Sequence, residues 1–181
     1  MLNKEERDFL LRSARNAVKV YLETGRTEIS ATSDPVLKEG RGVFVTLHKE
    51  AELRGCIGFL ESGKPLHENV CVMAVEAAVA DPRFPAVTLS ELAGLKVEIS
   101  ILTKPVKVSG AEVIVMGRDG VIVHRGNHQG VFLPQVAEET GWDKEKFLSV
   151  LCADKAGLPS DAWKYKDTEL YTFQAEVFKE E

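Results

Sequence analysis

Apolar and polar residues along this chain alternate with two different periods. Over residues 3–23 the apolar positions Leu11, Ala14, Val18 and Tyr21 form one stripe, with Leu10 and Ala17 beside it. Recurrence every three or four residues predicts a helix. Asn3 followed by Glu6 has the form of a capping box, and Gly25 stands where such a helix would stop. Residues 24–41 are polar, carry Pro35 and Gly40, and read as a loop. Val43, Val45 and Leu47 then alternate with Phe44, Thr46 and His48, the period of a strand. The polar residues 49–52 predict a turn into a second strand over 53–60.

Pro65 can open a helix at its first position, and Leu66, Val70, Met73 and Ala77 give that helix an apolar face. It should end before Asp81-Pro82, because proline disfavours helical geometry in the residue preceding it. Thr88-Leu89-Ser90-Glu91 forms a second capping box, for one short turn. Residues 95–103 alternate, Val97, Ile99 and Ile101 against Glu98, Ser100 and Leu102. Residues 112–116 and 121–125 flank Gly117-Arg118-Asp119-Gly120 and read as a hairpin. Val131-Phe132-Leu133 is a short apolar run before Pro134. Asp143 can cap a helix to Ala156 with Phe147, Leu148, Leu151 and Cys152 inward and Gly157 at its stop. Tyr171, Phe173, Ala175 and Val177 alternate in one last strand. Strands cluster, with helices interspersed and no regular β-α-β alternation. The class is therefore α+β, with a mainly antiparallel or mixed sheet flanked by helices.

Composition narrows the function classes. At 181 residues and 44% apolar the chain can bury a full core without disulfides or metal. Its 23 basic and 28 acidic residues give a net charge of −5, with no run of five like charges, which argues against generic nucleic-acid binding. The three cysteines, Cys56, Cys71 and Cys152, are odd in number and lack C-x-x-C spacing, which suits reduced thiols in a cytoplasmic protein. The charged N-terminal segment has no apolar signal core, and no apolar run is long enough to span a membrane.

Candidate chemistry centres on Leu53-Arg54-Gly55-Cys56-Ile57-Gly58. Strand alternation puts Arg54 and Cys56 on one face, about 6.6 Å apart, opposite Leu53, Ile57 and Phe59. An arginine favours the thiolate, which is the nucleophile and the metal ligand. Gly55 and Gly58 would leave room for a ligand to approach the backbone. The competing reading makes Cys56 a small buried hydrophobe and the glycines a bulge or bend. In Asp81-Pro82-Arg83-Phe84-Pro85 two prolines stiffen a loop, so Arg83 beside Phe84 suits a small anionic or planar ligand. Alternatively the loop is a rigid corner, with Phe84 plugging the core and Arg83 paired to Asp81. His67 lies early in its helix, where it could face the Cys56 strand, and His124 is the other candidate base. His124 and His128 are four apart, but glycines break any helix there, so no metal site follows. The set Gly117, Gly120, Gly126 and Gly130 lacks phosphate-loop spacing and reads as turns.

These segments resemble the AMMECR domain family, named for the Alport syndrome, midface hypoplasia and elliptocytosis chromosomal region. The resemblance rests on Gly42-Val43-Phe44-Val45-Thr46-Leu47, on the Leu-Arg-Gly-Cys-Ile-Gly and Asp-Pro-Arg-Phe-Pro segments, and on Glu98-Ile99-Ser100-Ile101-Leu102. Phe132-Leu133-Pro134-Gln135-Val136 and Lys155-Ala156-Gly157-Leu158 follow in family order, so nearly the whole chain is covered. Ala86 departs from a frequent second proline, and Gln129 from a frequent arginine. The resemblance implies one domain over 1–181, with a larger lobe holding both termini and a smaller lobe. In prokaryotes it implies protein A of the AmmeMemoRadiSam system, whose neighbours are Memo-like and radical-SAM proteins. It names no cofactor and no reaction, since a fold does not fix chemistry. Two functional expectations follow. One is a catalytic or ligand-binding pocket with Cys56 as nucleophile or redox centre, Arg54 tuning it, and Arg83, Phe84, His67 or His124 contacting the ligand. The other is a non-catalytic accessory module that docks one of those partners.

Overall fold

Asn3 caps the first helix as the sequence pattern predicts. Its side chain accepts from the Glu6 amide at 2.9 Å, the Glu6 carboxylate returns to the Asn3 amide at 2.6 Å, and Gly25 ends the helix with φ of 72°. This helix, α1, spans Lys4–Thr24. The structure, a computed structural model, describes residues 1–181. It is an α+β fold with two antiparallel four-stranded sheets.

The chain divides into two units, Met1–Leu102 with Glu176–Glu181, and Thr103–Ala175. In the first, β1 (Val43–Lys49), β2 (Glu52–Phe59), β3 (Leu95–Leu102) and β8 (Ala175–Lys179) form a sheet in the order β2-β1-β3-β8. The inward residues Val43, Val45, Leu47, Val97, Ile99 and Ile101 meet Leu10, Ala14 and Val18 of α1, with Leu66, Val70 and Ala74 of α2 (Leu66–Val79). α2 buries nearly its whole circumference, including Asn69 and Cys71, while Met73 is only half-buried. No helix of the chain is long and apolar enough to cross a membrane.

The second unit orders its strands β4-β7-β5-β6, from β4 (Val106–Val108), β5 (Gly120–Arg125), β6 (His128–Phe132) and β7 (Glu169–Phe173). Its core joins Val121, Val123 and Phe132 to Phe147, Leu148 and Leu151. The short helices α3 (Gln135–Thr140) and α4 (Lys144–Val150) precede a π-helical turn over Leu151–Lys155. Gly130 admits that turn: a Cβ there would lie 2.8 Å from the Ala156 nitrogen.

Residues 112–116 do not pair with 121–125. The hairpin is β5–β6, turning at Gly126-Asn127 with Arg125 opposite His128, and Gly126 supplies the positive φ of 60°. Segment 112–116 stays outside the sheet because Asp119 folds back, its carboxylate accepting from the Val115 amide at 2.9 Å. The expected last strand is two strands, β7 in the second sheet and β8 in the first, parted at Gln174.

Candidate functional site around Cys56

Strand β2 forms one edge of the first sheet, and its pairing with β1 contains a bulge. Leu47 lies opposite Gly55 and His48 opposite Leu53, so Arg54 has no partner in the ladder. The extra residue reverses the faces beyond it. Leu53 was expected to point into the core beside Ile57. It is instead 39% exposed and shares the outer face with Cys56, because its partner His48 shares that face with Thr46. Ile57 and Phe59 pack on the core as expected.

Arg54 leaves the ladder and reaches the segment after Pro85. Its Nε and Nη2 each donate to Glu91, both at 3.2 Å, and Nη1 donates to the Pro85 carbonyl at 2.9 Å. Glu91, the expected capping-box residue, also accepts from the Thr88 amide at 3.0 Å and from Lys49 at 3.1 Å. These donors, Arg54 foremost, pull its carboxyl down to about 2. The Arg54 guanidinium is thus engaged by a carboxylate of its own chain.

The loop after α2 covers the edge of β2. Asp81-Pro82-Arg83-Phe84 is a turn closed by the Phe84 amide on the Asp81 carbonyl at 3.1 Å, with proline in the position its fixed φ favours. Asp81 is buried, and Oδ2 accepts the Cys56 amide at 2.8 Å. Arg83 grips the same carboxylate through Nε at 3.0 Å and Nη2 at 2.7 Å, while Nη2 also lies 3.4 Å from the Cys56 carbonyl. The outward amide and carbonyl of Cys56, which an edge strand would leave open, are met by side chains. The Arg83 hydrogen bonds hold the Asp81 carboxyl far below the usual range. Phe84 is half-buried beneath the Arg83 guanidinium, 5.5 Å from its ring centre.

Space beside the glycines is filled by the protein. A Cβ on Gly55 would strike the carbonyl of Ala77 in α2, and one on Gly58 would strike Val43 and Phe44 of β1. The room expected there for a ligand is taken by a helix backbone and a neighbouring strand.

The Cys56 thiol stands on the outer face, half-buried, and accepts from the Thr46 hydroxyl at 3.1 Å. Burial raises its pKa, against the opposing pull of Thr46 and of Arg83. Cys71 and Cys152 are fully buried, and burial raises both thiols as well. Two residues unremarked as chemistry in the sequence complete this face. His48 follows Thr46 along it, its Nε2 shielded from solvent without a hydrogen-bond partner and 3.7 Å from Glu98 of β3. Glu98 lies opposite Thr46. A polar Thr-x-His on one strand and a Glu on another were visible as alternation; that β1 runs between the cysteine and the glutamate was not.

Arg83 and Phe84 thus lie against the β2 edge at Cys56, Gly55 and Gly58 pack on α2 and β1, Arg54 turns away to Glu91, and His67 and His124 do not join them. His67 donates to or accepts from nothing near Cys56; its Nδ1 lies 3.0 Å from the Leu37 carbonyl. It sits at the start of α2, whereas Gly55 touches Ala77, ten residues or roughly 15 Å further along that helix. His124 belongs to the second unit, where it faces Glu169. No three His, Cys, Asp or Glu side chains gather as a metal centre.

The AMMECR1 family model matches residues 11–178, which include every segment just described. The chain belongs to the AMMECR1 family. Similar members are Protein PF1979 of Pyrococcus furiosus, 48% identical over 96% of this chain and 88% of its own length, and Protein MK0488 of Methanopyrus kandleri, 48% identical over 99% and 91%. Among solved structures, Uncharacterized Protein PH0010 from Pyrococcus horikoshii superposes with a TM-score of 0.89. It is 46% identical, over 99% of this chain and 94% of that one.

Proposed function

We propose that the outer face of β1–β2 is a ligand-binding site that presents the Cys56 thiol as a nucleophile, with His48 Nε2 as its proton acceptor and Glu98, 3.7 Å from that same nitrogen, as counterion of the imidazolium that forms. One observation carries this reading: His48 Nε2 is shielded from water, unpartnered, and on the same face as Cys56 and Glu98. Buried polar atoms are nearly always satisfied, so an unsatisfied one calls for an explanation, of which a catalytic role is one. A thiol raised by burial needs a base at the moment of attack. Sγ would bond to an electrophilic carbon of the ligand while its proton passes to Nε2, and the displaced group would leave with the bonding pair.

Iodoacetamide imitates that step. Cys56 is expected to be alkylated before Cys71 and Cys152 in the folded protein, as read by peptide mapping. His48→Gln is expected to slow Cys56 alkylation several-fold at neutral pH without lowering the melting temperature. An unchanged rate in His48→Gln, or labelling of Cys71 or Cys152 first, refutes the nucleophile.

A second reading is favoured by a different observation: both arginines are neutralised within the chain, leaving no strong anion clamp at Cys56. On that reading the same face docks a protein, and a Memo-like or radical-SAM partner is the proposed class. Retention of such a complex by Cys56→Ser, in which no thiol remains at this position, would favour docking over nucleophilic chemistry.

A further inference from the structure

Two adjoining hollows in the second unit share Val108, Ser109, Lys166 and Thr168 in their walls. One measures about 350 Å³ and is completed by Glu112, Trp163 and Tyr165 among others; the second measures about 520 Å³ and is completed by Lys107, His124 and Glu169. Both volumes lie in the range of small-molecule sites, roughly 300–1,000 Å³.

The charges around them are unevenly matched. In the larger hollow each carboxylate already has a cation: Glu169 holds Lys107 at 2.5 Å and faces His124 at 3.5 Å, and Asp167 holds Arg125 at 2.9 Å. Lys164, at the smaller hollow, pairs with Glu145 at 2.9 Å. Lys166, common to both hollows, has no carboxylate within ion-pair distance. Beside it Thr168 Oγ1 is shielded from solvent and has no hydrogen-bond partner. A buried hydroxyl left unpaired is costly, and an acceptor oxygen in the hollow would satisfy it. An ammonium without a counterion and a hydroxyl without an acceptor thus line the same cavity.

We propose that these hollows bind a small solute bearing an oxyanion, a phosphate or a carboxylate. Its oxygens take hydrogen bonds from Lys166 Nζ and Thr168 Oγ1, while Ser109 Oγ at the rim stays with Glu112, to which it donates at 3.3 Å. A charge-assisted bond of this kind is among the stronger ones available to a surface site. A nucleic-acid backbone is disfavoured, because Glu112, Asp167 and Glu169 stand around the opening and the whole chain carries −5. The site is independent of the reading given to Cys56.

The test is a titration of the isotope-labelled full chain with inorganic phosphate and, separately, with citrate at fixed ionic strength, followed by amide NMR. Saturable shifts are expected in residues 107–110, 124–126 and 163–169, and the tighter probe identifies the head group. Lys166→Gln should weaken binding about tenfold, the loss of one charge-assisted hydrogen bond. Thr168→Val should weaken it as well while keeping or raising the melting temperature, since valine has no polar atom to leave unpaired. Shifts that do not saturate with either probe overturn the proposal. So does binding that is unaltered in Lys166→Gln. A Thr168→Val variant that is more stable yet binds equally well overturns the role given to the hydroxyl.

Discussion

Arg54 divides its guanidinium between Glu91 and the Pro85 carbonyl, and this places it first among the residues that hold the edge of the sheet. The two side chains are only 12% and 19% exposed, between the weak regime of surface pairs and the strong one of buried pairs. Arg54→Ala should therefore cost about 2 kcal/mol in a urea titration, and Arg54→Lys should recover only part, since an ammonium cannot reach both carboxylate oxygens and the carbonyl together. The pH dependence follows from Glu91. Its folded-state value is depressed to about 2, against about 4.3 for an unfolded glutamate. Its contribution is thus fully present above the unfolded value and is lost as pH falls through the folded one. The stability gap between the parent and Arg54→Ala should be full at neutral pH and shrink steadily below about pH 4.3. A gap that is the same at pH 6 and pH 2.5 would show that the pair does not carry the effect. The pairing of Arg83 with Asp81 was one of the two readings the sequence allowed for its loop, whereas the roles of His48 and Glu98 and the partner of Arg54 were not legible. Arg54, Cys56 and Arg83 stood out, while the bulge that turns Arg54 away from the thiol and toward Glu91 depends on a strand pairing that no local pattern displays.

At the level of elements, the turn between β1 and β2 conflicts with its own sequence. Lys49 lies opposite Glu52, so Glu50 and Ala51 alone make the connection, and both have positive φ, 52° and 69°. Two-residue turns of this kind favour Asn-Gly, because L side chains are strained in the left-handed region by about 1 kcal/mol or more. Glu50→Asn combined with Ala51→Gly is expected to stabilise the chain by about 1 kcal/mol, read as a higher urea midpoint at unchanged slope. A lower midpoint would mean that the backbone entropy of glycine outweighs the relief. The polar character of 49–52 was enough to place this turn. It was not enough elsewhere: Gly117-Arg118-Asp119-Gly120 is richer in turn residues than Gly126-Asn127, yet the hairpin forms at the second. What decides it is Asp119, whose carboxylate binds the Val115 amide and bends the preceding segment off the sheet. The division of the last strand is hidden for a related reason, since alternation from Tyr171 to Val177 continues unbroken across Gln174 and carries no sign that the chain changes sheets there. Helix α1, with cap, stripe and stop all within its own residues, was fully legible.

For the molecule as a whole, the decisive feature is how the second unit is inserted. The chain enters it at Thr103 and leaves it by Ala175, and these two crossings are tied together. The Thr103 amide donates to the Gln174 carbonyl at 2.9 Å, and the Gln174 amide returns to the Thr103 hydroxyl at 2.8 Å. Every residue of the core built on Val121, Phe132, Phe147 and Leu151 lies between those crossings. A segment whose ends already meet and whose core is its own needs no other chain to close it. The fragment 103–175 should then fold alone, giving a dispersed amide spectrum and a cooperative melt. Its stability should be modest, because so short a chain buries a smaller share of its surface, roughly 60%. The first unit should likewise fold when residues 102 and 176 are joined by a short Gly-Ser bridge, with β8 still beside β3. A collapsed spectrum for 103–175 would show that the core is not sufficient and that the first unit is needed to hold it. A folded fragment would separate the chemistry as well: the face of Cys56, Thr46, His48 and Glu98 would lie wholly on one product, and Lys166 with Thr168 wholly on the other.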